Sequence, residues 1–487
     1  MRPHGASISR ILIIGLAALS AATTARSDDP PTLQWIRQFS LSENGTGSRG
    51  VSADTQGNIF VAGDLSVATG AYLRKYDLGG NLQWSHIWEP VQPTEESVFA
   101  VDVWADRFGN AYWVGGHGPT IVTMDPFVYK FDSLGHVLWD YEVPNPEYND
   151  GFKAVTGDNL GNLYMAGNEV GRDALLFKSN ADGDIEWMRS FLIGYGGVTG
   201  VAADTLGSIF VAGSTNISVG GPNAGGYDAF LTKFNDEGDQ LWTRQFGGAT
   251  FDFANGVAAD GMGNVFVAGW RELPTAVDAF VRKYDSEGKL LWNRQIGTVG
   301  ANADVSNITS DEYGNIYVAG RTAGSLGGAN AGGFDAFVRK YDSAGNILWT
   351  YQLGTSGYDG PDGGITLDGH GNVILSGGTT GNLGGPLVST YGDAWIALLR
   401  EYLPGDYNDD DVVDEADQLV WRAAFGSQTD LTADGNRNGI IDAADYVVWR
   451  DNLGGNFPSS SATNPTVPEP PTLALAAFAL VATARFF

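Results

Sequence analysis

The chain has 487 residues, of which 68 are glycine, 12% are aromatic and only 17% are charged. An intrinsically disordered chain would be poor in aromatic residues and rich in charge, so this composition excludes one and favours a β-rich protein with many tight turns. The net charge of −29 disfavours a nucleic-acid partner, and the absence of cysteine excludes disulfides and thiolate chemistry.

The first segment of the chain has the pattern of a secretory signal peptide. Arg2 and Arg10 provide a basic start, an apolar run extends from Ile11 to Leu19, and small residues follow as far as Ala25. We therefore predict a signal peptide over residues 1–25 and export of the mature chain. The alternative is a membrane anchor, although the apolar run is shorter than the roughly 20 residues that a membrane span needs.

Residues 26–403 repeat one unit seven times. Each copy begins with Asp-x-x-Gly-Asn, or a close variant, and continues as an alternating apolar run that ends in glycine. The first residues of the copies, at spacings of 46–57 residues, are Asp54, Asp106, Asp158, Asp204, Asp260, Asp311 and Asp368. Because Asp accepts backbone N–H bonds and glycine adopts positive φ, this motif predicts a tight turn between two strands.

A second motif, a strand that ends in Lys-aromatic-Asp and leads to a Trp, completes the unit. Clear copies run from Asp278 to Trp292 and from Asp335 to Trp349. Each unit then holds four strand candidates, which is the pattern of a β-propeller blade. The last copy, at Asp393, has no Trp strand after it, but Leu33–Phe39 resembles the missing strand. We therefore predict an all-β, seven-bladed propeller closed by its N-terminal strand, with an open solenoid as the alternative.

These units resemble the SBBP β-propeller repeat family over roughly residues 31–403. The resemblance rests on Asp-x-x-Gly-Asn-x-Tyr/Phe-Val-Ala-Gly, on the motif at Asn223–Phe230 and Asn330–Phe337, and on the Trp that follows. The family implies secretion and the fold, but no shared catalytic activity.

The propeller sequence contains no recognised catalytic motif. Turn formation and blade packing explain the repeated Asp and Trp residues. The histidines outside the leader share no spacing and are read as scattered surface or turn residues of different blades, at His86, His117, His136 and His370. The acidic residues that are unique to their units lie in segments read as polar loops, at Glu95, Glu96, Asp359 and Asp362. We predict no catalytic residues and no organic cofactor.

The repeat ends at residue 403. Residues 404–456 contain 12 acidic residues and two loops with the residue pattern of calcium-binding loops. In such loops, positions 1, 3, 5, 7, 9 and 12 supply oxygen ligands, and position 7 uses its carbonyl. In the first loop these residues are Asp406, Asn408, Asp410, Val412, Asp414 and Asp417. In the second loop they are Asp434, Asn436, Asn438, Ile440, Asp442 and Asp445. Each loop leads into a similar helix, so we predict a small α-helical domain with two calcium ions; a solvated acidic surface is the alternative.

This pair of loop–helix segments resembles a type I dockerin domain. The resemblance implies a cohesin partner and a role in polysaccharide breakdown. Asp411 departs from the family, which usually has glycine at position 6. Positions 10 and 11, which usually set partner choice there, are Glu415-Ala416 and Ala443-Ala444 instead of the common Ser/Thr type. Another extracellular protein is therefore an alternative partner.

The C-terminal end has the pattern of a sorting tail. Residues 457–467 form a predicted linker, and residues 468–487 hold Pro468-Glu469-Pro470, an apolar stretch from Thr472 to Ala484, and Arg485. This end resembles a PEP-CTERM signal, which implies an exosortase-type processing peptidase and delivery to the cell surface or extracellular matrix, with the tail transiently held in the membrane. The family usually has an Arg cluster here, and a plain apolar tail is the alternative.

These patterns predict a secreted or surface-directed, non-catalytic binding or scaffold protein. Its partners would be an extracellular protein at the dockerin-like module and a glycan or protein at the propeller. The Gly-rich loops Gly220–Gly226, Gly324–Gly333 and Gly381–Gly392 are the predicted contact face. The alternative is an enzyme or accessory subunit of extracellular polysaccharide degradation, which would need two carboxylates in one pocket outside the repeat turns.

Overall fold

The computed structural model describes residues 30–65, 70–88, 97–120, 123–142, 151–168 and 173–457. The predicted signal peptide, nearly all of the linker and the sorting tail lie outside these residues, as do Glu95 and Glu96. The described chain forms two compact units, one that extends to Tyr402 and a smaller one over Leu403–Asn456.

The described residues form 28 strands and two helices. In chain order the strands are β1 (Thr32–Phe39), β2 (Thr46–Ala53), β3 (Ile59–Leu65), β4 (Gly70–Tyr76), β5 (Leu82–Trp88), β6 (Ser97–Ala105), β7 (Ala111–Thr120), β8 (Thr123–Phe131), β9 (Val137–Glu142), β10 (Phe152–Gly157), β11 (Leu163–Asn168), β12 (Asp173–Ser179), β13 (Ile185–Leu192), β14 (Gly197–Ala203), β15 (Ile209–Thr215), β16 (Asp228–Phe234), β17 (Gln240–Phe246), β18 (Asp252–Ala259), β19 (Val265–Glu272), β20 (Val277–Tyr284), β21 (Leu290–Ile296), β22 (Ala303–Ser310), β23 (Ile316–Thr322), β24 (Asp335–Tyr341), β25 (Ile347–Leu353), β26 (Asp359–Leu367), β27 (Asn372–Thr379) and β28 (Asp393–Arg400). The helices are α1 (Glu415–Ala424) and α2 (Ala443–Asp451).

The strands form seven antiparallel, four-stranded blades. Blades 1 to 6 each use four consecutive strands, from β2–β5 to β22–β25. Blade 7 has the order β26-β27-β28-β1, because the N-terminal strand pairs with β28 from Thr32 opposite Arg400 to Phe39 opposite Ala394. This pairing confirms the predicted seven-bladed propeller and its closure by the N-terminal strand. Closure also protects the edge of β28, which would otherwise be open to another strand.

The repeated aspartate builds the first turn of each blade. Asp54 Oδ1 accepts the backbone N–H groups of Gln56 and Asn58 at 2.8 and 2.9 Å, and Gly57 has a φ of 80°. The same bond to the residue four positions later recurs in every blade, at Asp106, Asp158, Asp204, Asp260, Asp311 and Asp368. The turn role predicted for these carboxylates is therefore confirmed.

Tryptophan and cationic residues join each blade to the next. Trp242 Nε1 and Lys233 Nζ both donate to Ser286 O at 3.1 Å, on the last turn of the following blade. The Arg244 guanidinium lies 5.1 Å from the centre of the Trp242 ring and donates to Gly288 O at 2.6 Å. Equivalent Trp bonds are made by Trp35, Trp84, Trp187 and Trp292. These rings pack blades together, as predicted.

The apolar cores lie between neighbouring blades. Between blades 4 and 5, the buried side chains include Phe210, Val257 and Phe280. Each such side chain contributes roughly 1.5–3 kcal/mol when fully buried. The blade-to-blade interfaces therefore hold the ring together and leave its loops free to vary.

Candidate functional site

The innermost strands of the blades form a closed ring around the propeller axis. They are β2, β6, β10, β14, β18, β22 and β26, and each contacts the next. Every one of them carries a β-bulge or irregularity in its pairing with the second strand. In each blade, residues of the first and second strands face each other in pairs. We call the second such pair before the bulge, counted back along the first strand, the rim pair of that blade.

Rim pairs differ between blades although the surrounding repeat does not. The pairs that the register defines are Gly47–Asp64, Phe99–Gly116, Gly197–Ser214, Phe253–Trp270, Asp304–Arg321 and, in blade 7, Asp359–Thr379. Blades 5 and 6 are therefore exceptional, with an aromatic pair and an ionic pair at equivalent positions.

The aromatic pair of blade 5 belongs to a row of four rings, Tyr227, Phe251, Phe253 and Trp270, which we call the aromatic row. The Phe253 and Trp270 ring centres are 4.7 Å apart at an interplanar angle of 27°. Tyr227 stacks on Phe253 at 5.6 Å and 24°, and on Phe251 at 5.9 Å and 28°. Phe251 is 42% exposed and the other three rings are partly exposed.

Backbone bonds hold the aromatic row in place. Asp252 N donates to Tyr227 O at 2.8 Å, and Gly226 N donates to Thr250 O at 3.0 Å, so the start of blade 4's third strand lies beside the start of β18. The Asp228 carboxylate accepts Ala224 N and Gln245 Nε2, both at 2.9 Å. The predicted Gly-rich contact loop is thereby fastened to its own blade.

The ionic pair of blade 6 belongs to a second group, the Arg321 cluster, made of Asp304, Arg321, Phe334, Tyr358 and Asp362. Arg321 Nε donates to Asp304 Oδ2 at 2.8 Å, and Arg321 Nη1 lies 3.9 Å from Asp362 Oδ1. Tyr358 donates its hydroxyl to Asp362 Oδ2 at 2.8 Å. The guanidinium lies 5.4 Å from the Phe334 ring centre. Burial raises the pKa of Asp304, which Arg321 opposes.

The sequence prediction that Asp359 and Asp362 lie in a polar loop is wrong. Both belong to β26, whose glycines and Pro361 read as a loop but form an irregular strand. Asp359 is buried and accepts Thr355 N at 2.6 Å, so it is structural. Asp362 remains accessible and joins the Arg321 cluster. The prediction that the histidines lie in different blades is wrong for His117 and His136, since both belong to blade 2, on β7 and on the turn between β8 and β9.

In the smaller unit, the two predicted calcium loops have the same backbone. Positions 4 and 6 are left-handed in both: φ is 64° at Asp409 and 74° at Asp411, and 57° at Arg437 and 83° at Gly439. Asp411 therefore adopts the conformation that glycine usually provides, at an energetic cost. Each loop makes the same unusual double turn from a different sequence.

The carboxylates at the two ends of each loop are bound by its backbone. Asp406 accepts N–H groups of Asp409, Asp410 and Asp411, and Asp434 accepts those of Asn438 and Gly439. At position 12, Asp417 and Asp445 are fully buried, and each accepts an N–H from position 3 and one from position 9. Asp414 and Asp442 are the N-caps of α1 and α2.

The two loop–helix segments contact each other reciprocally. Trp421 Nε1 donates to Asp442 O at 2.8 Å, and Trp449 Nε1 donates to Asp414 O at 2.6 Å. Val413 exchanges backbone bonds with Gly454 and Gly455, just as Ile441 does with Gly426 and Ser427. Every pair of equivalent residues is 28 positions apart, so the unit has internal two-fold pseudosymmetry.

The donor chemistry of the loops fits a hard divalent cation. All six positions offer oxygen, as calcium prefers. Burial and the nearby Asp417 carboxylate raise the pKa of Asp406 to about 6, and burial raises the pKa of Asp445. A bound cation would offset both effects. Within the described part of the chain, no three acidic or histidine side chains converge as a metal-binding group, so the loops would have to close around the ion. No described helix is long and apolar enough to cross a membrane.

Comparison with known proteins supports the repeat. Residues 34–64, 241–270 and 291–327 match the family model of SBBP, a β-propeller repeat. Each match begins on the outer strand of one blade and runs through the first two strands of the next. The described propeller is therefore seven-bladed and contains SBBP repeats, in agreement with the sequence motifs.

Whole-chain similarities are more distant. The regulatory protein FlaEY of Caulobacter vibrioides is 24% identical over 337 residues, which cover 57% of this chain and 35% of that protein. The chain thus spans about a third of the length of this curated relative.

Solved structures with similar chains include the mitotic checkpoint complex, with 10% identity, 81% of this chain and 99% of that chain covered, and a TM-score of 0.46. They also include Drosophila Plexin A in complex with Semaphorin 1b (9%, 77% and 89%, 0.44) and the polysaccharide lyase Uly1 (8%, 76% and 100%, 0.45). Similarities of this size carry no argument about function.

Proposed function

We propose that this protein is an exported, non-catalytic binding or scaffold protein whose smaller unit is a calcium-dependent, dockerin-like module. The observation that carries the proposal is the repetition of one loop geometry and its reciprocal contacts at an interval of 28 residues. A solvated acidic surface would account for the charge. It would not account for matching left-handed turns, buried position-12 carboxylates and exchanged Trp bonds.

The chain's own residues would hold two calcium ions in these loops. The ligands of the first ion would be Asp406, Asn408, Asp410, Val412, Asp414 and Asp417, and those of the second would be Asp434, Asn436, Asn438, Ile440, Asp442 and Asp445. The bound ions would neutralise carboxylates that otherwise repel one another. The Trp421 and Trp449 bonds join each loop to the opposite helix, so ion binding in one loop would stabilise the other.

The proposed location and partners of the protein rest on the sequence patterns at the two ends of the chain and on the dockerin-like module. The N-terminal pattern supports export, and the C-terminal pattern supports processing by an exosortase-type peptidase and placement at the cell surface or in the extracellular matrix. A cohesin-like or another extracellular protein would bind the module. The large negative charge disfavours nucleic acid.

Calcium titration of the full mature chain tests this proposal. Isothermal calorimetry should show two ions for the wild type, one for Asp406→Ala or Asp434→Ala, and none for the double variant. Asp409→Asn is the matched control, because position 4 is not a ligand and Asn tolerates its positive φ. A wild type that binds no calcium, or variants that still bind two ions, would contradict the module.

One observation favours the alternative, an enzyme of polysaccharide degradation. Asp304 and Asp362 flank the same guanidinium outside the repeat turns, and glycoside hydrolysis uses a carboxylate pair. Release of reducing ends from plant and microbial polysaccharides should remain at the buffer level if the protein is non-catalytic. An activity that Asp362→Asn abolishes would instead establish the enzyme.

A further inference from the structure

We propose that the aromatic row of blades 4 and 5 is a platform on which the propeller binds a neutral glycan chain. The inference rests on the binding role proposed above and names its ligand class. It does not depend on the calcium module, because all four rings belong to the propeller.

The propeller fold does not require the four rings of the aromatic row. The repeat places the same backbone in every blade, yet the rim pair is Gly197–Ser214 in blade 4 and Phe253–Trp270 in blade 5. Blade 4 forms a complete four-stranded sheet with glycine and serine at these positions. A large aromatic pair that the scaffold does not need is therefore explained by what lies outside it.

The geometry of the four rings distinguishes them from the rings of the blade cores. The interplanar angles along the row are 22–28°, so the rings share one orientation, whereas most ring pairs in the blade cores are tilted or edge-on. Five of the Trp residues between blades donate their Nε1 groups to a carbonyl of the neighbouring turn, namely Trp35, Trp84, Trp187, Trp242 and Trp292. In the described structure, no side chain of the aromatic row makes a hydrogen bond of this kind, and part of each ring stays exposed. Stacking covers part of the ring faces within the row, and the apolar ring surface that stays exposed can pack against the flat apolar face of a ligand.

The charge of the protein and the polar groups near the aromatic row indicate the class of ligand. Sugars, nucleic-acid bases and aromatic or proline side chains all have flat faces. The net charge of −29 opposes nucleic acids and acidic glycans. At the equivalent position of the next blade, the Arg321 cluster presents guanidinium donors and carboxylate acceptors. A neutral pyranose chain matches both surfaces, because its C–H faces stack on rings and its hydroxyl groups both donate and accept hydrogen bonds.

Affinity electrophoresis of the full mature chain tests the platform. The gels contain hydroxyethyl-cellulose, arabinoxylan or galactomannan as neutral probes and alginate as the anionic probe. We expect at least one neutral probe, and not alginate, to retard the wild type. Trp270→Ala and Phe253→Ala should each weaken binding by about tenfold or more, while Trp270→Phe keeps most of it.

Phe108→Ala is the matched control, since Phe108 is 64% exposed on a first turn, at the opposite end of the strands from the rim pairs. It should bind like the wild type. Near-ultraviolet circular dichroism checks that every variant keeps its fold. The platform is overturned if no neutral probe retards the wild type, if folded Trp270→Ala binds undiminished, or if only alginate binds.

Repeating the gels in EDTA separates the two proposals. A protein that binds glycan in EDTA and takes up no calcium retains the platform and loses the module. A protein that binds two calcium ions and no neutral glycan retains the module and loses the platform.

Discussion

At the scale of single residues, Glu401 replaces a hydrogen-bond acceptor that blade 7 lacks because the N-terminal strand closes the ring. In blades 1, 4 and 5, Lys and Trp both donate to one carbonyl on the last turn of the following blade, as Lys233 and Trp242 do. Blade 7 lacks that turn, because its outer strand comes from the N-terminus. The Glu401 carboxylate takes the carbonyl's place and accepts Lys340 Nζ at 2.8 Å and Trp349 Nε1 at 2.9 Å.

Removing this carboxylate should leave Lys340 buried without its partner. Glu401 and Lys340 are only 7% and 5% exposed, and breaking a buried pair typically costs about 3–5 kcal/mol. Glu401→Ala should therefore lower the propeller's free energy of unfolding by about that amount in a denaturant titration. Glu237→Ala, at an exposed carboxylate on the last turn of blade 4, is the control and should change it by less than about 0.5 kcal/mol. A small effect at Glu401 would mean that water replaces its oxygen.

Asp102 is a second residue that breaks the repeat, because Gly50 and Ala154 occupy its position in blades 1 and 3. Its carboxylate accepts Val103 N at 2.9 Å and Val155 N at 3.0 Å. Burial nevertheless dominates and raises its pKa from 3.8 to about 7. The folded state therefore holds a proton that the unfolded state releases between these two values.

Because the folded state binds this proton more tightly, Asp102 contributes its full stability below its unfolded pKa. That contribution falls as the pH rises towards 7. Between about pH 5 and pH 8 the wild type should lose about 1–3 kcal/mol relative to Asp102→Ala. Denaturant titrations of both proteins at the two pH values measure this difference. Parallel pH profiles would show that Asp102 is ionised in the folded protein throughout.

At the scale of elements, β1 has two structural roles. Ile36 packs against the core between blades 6 and 7, and Phe39 against the core between blades 7 and 1. Trp35 Nε1 donates to Leu78 O at 2.9 Å and Arg37 Nε donates to Gly80 O at 3.1 Å, both on blade 1. The strand therefore completes one blade and attaches it to the next.

Deleting residues 30–40 should open the ring. We expect loss of the sharp unfolding transition and self-association through the exposed edge of β28. A synthetic peptide of residues 30–40, added in trans, should restore the transition by strand addition, and a scrambled peptide should not. A truncated protein that unfolds as sharply as the full chain would refute this closure.

At the scale of the whole molecule, the chain combines two units with different sources of stability. The propeller relies on apolar interfaces between blades, while the smaller unit has two short helices and loops rich in carboxylates. Its apolar core includes Val413, Ile441 and Trp449 but few other buried residues. Small domains of this size often depend on a metal for stability.

Calorimetric scans should therefore show two transitions. Calcium should raise the midpoint of the smaller unit's transition by several degrees or more and leave the propeller's midpoint within about 1 °C, because only the state that binds the ion is stabilised. Asp406→Ala combined with Asp434→Ala should remove the calcium response and keep the propeller transition. A calcium shift that persists in this double variant would place the ions elsewhere.

The sequence alone determined the number of blades, the turn chemistry of the repeated aspartates and the complementarity of the first and last strands. These features are written in local patterns, since turns, strand alternation and loop spacing each depend on a few neighbouring residues. The repetition made these features easy to recognise, because the positions shared by all seven copies can be distinguished from the positions that vary.

Only the tertiary structure brought together Tyr227, Phe253 and Trp270, gave Glu401 its partners, and placed Asp362 on a strand beside Arg321. The signal for the aromatic row was present as a break in the repeat at the rim pairs, but its meaning required the register of β18 and β19. The physical reason is ring closure: residues far apart in the chain meet because neighbouring blades pack together, and no local window of sequence records that contact.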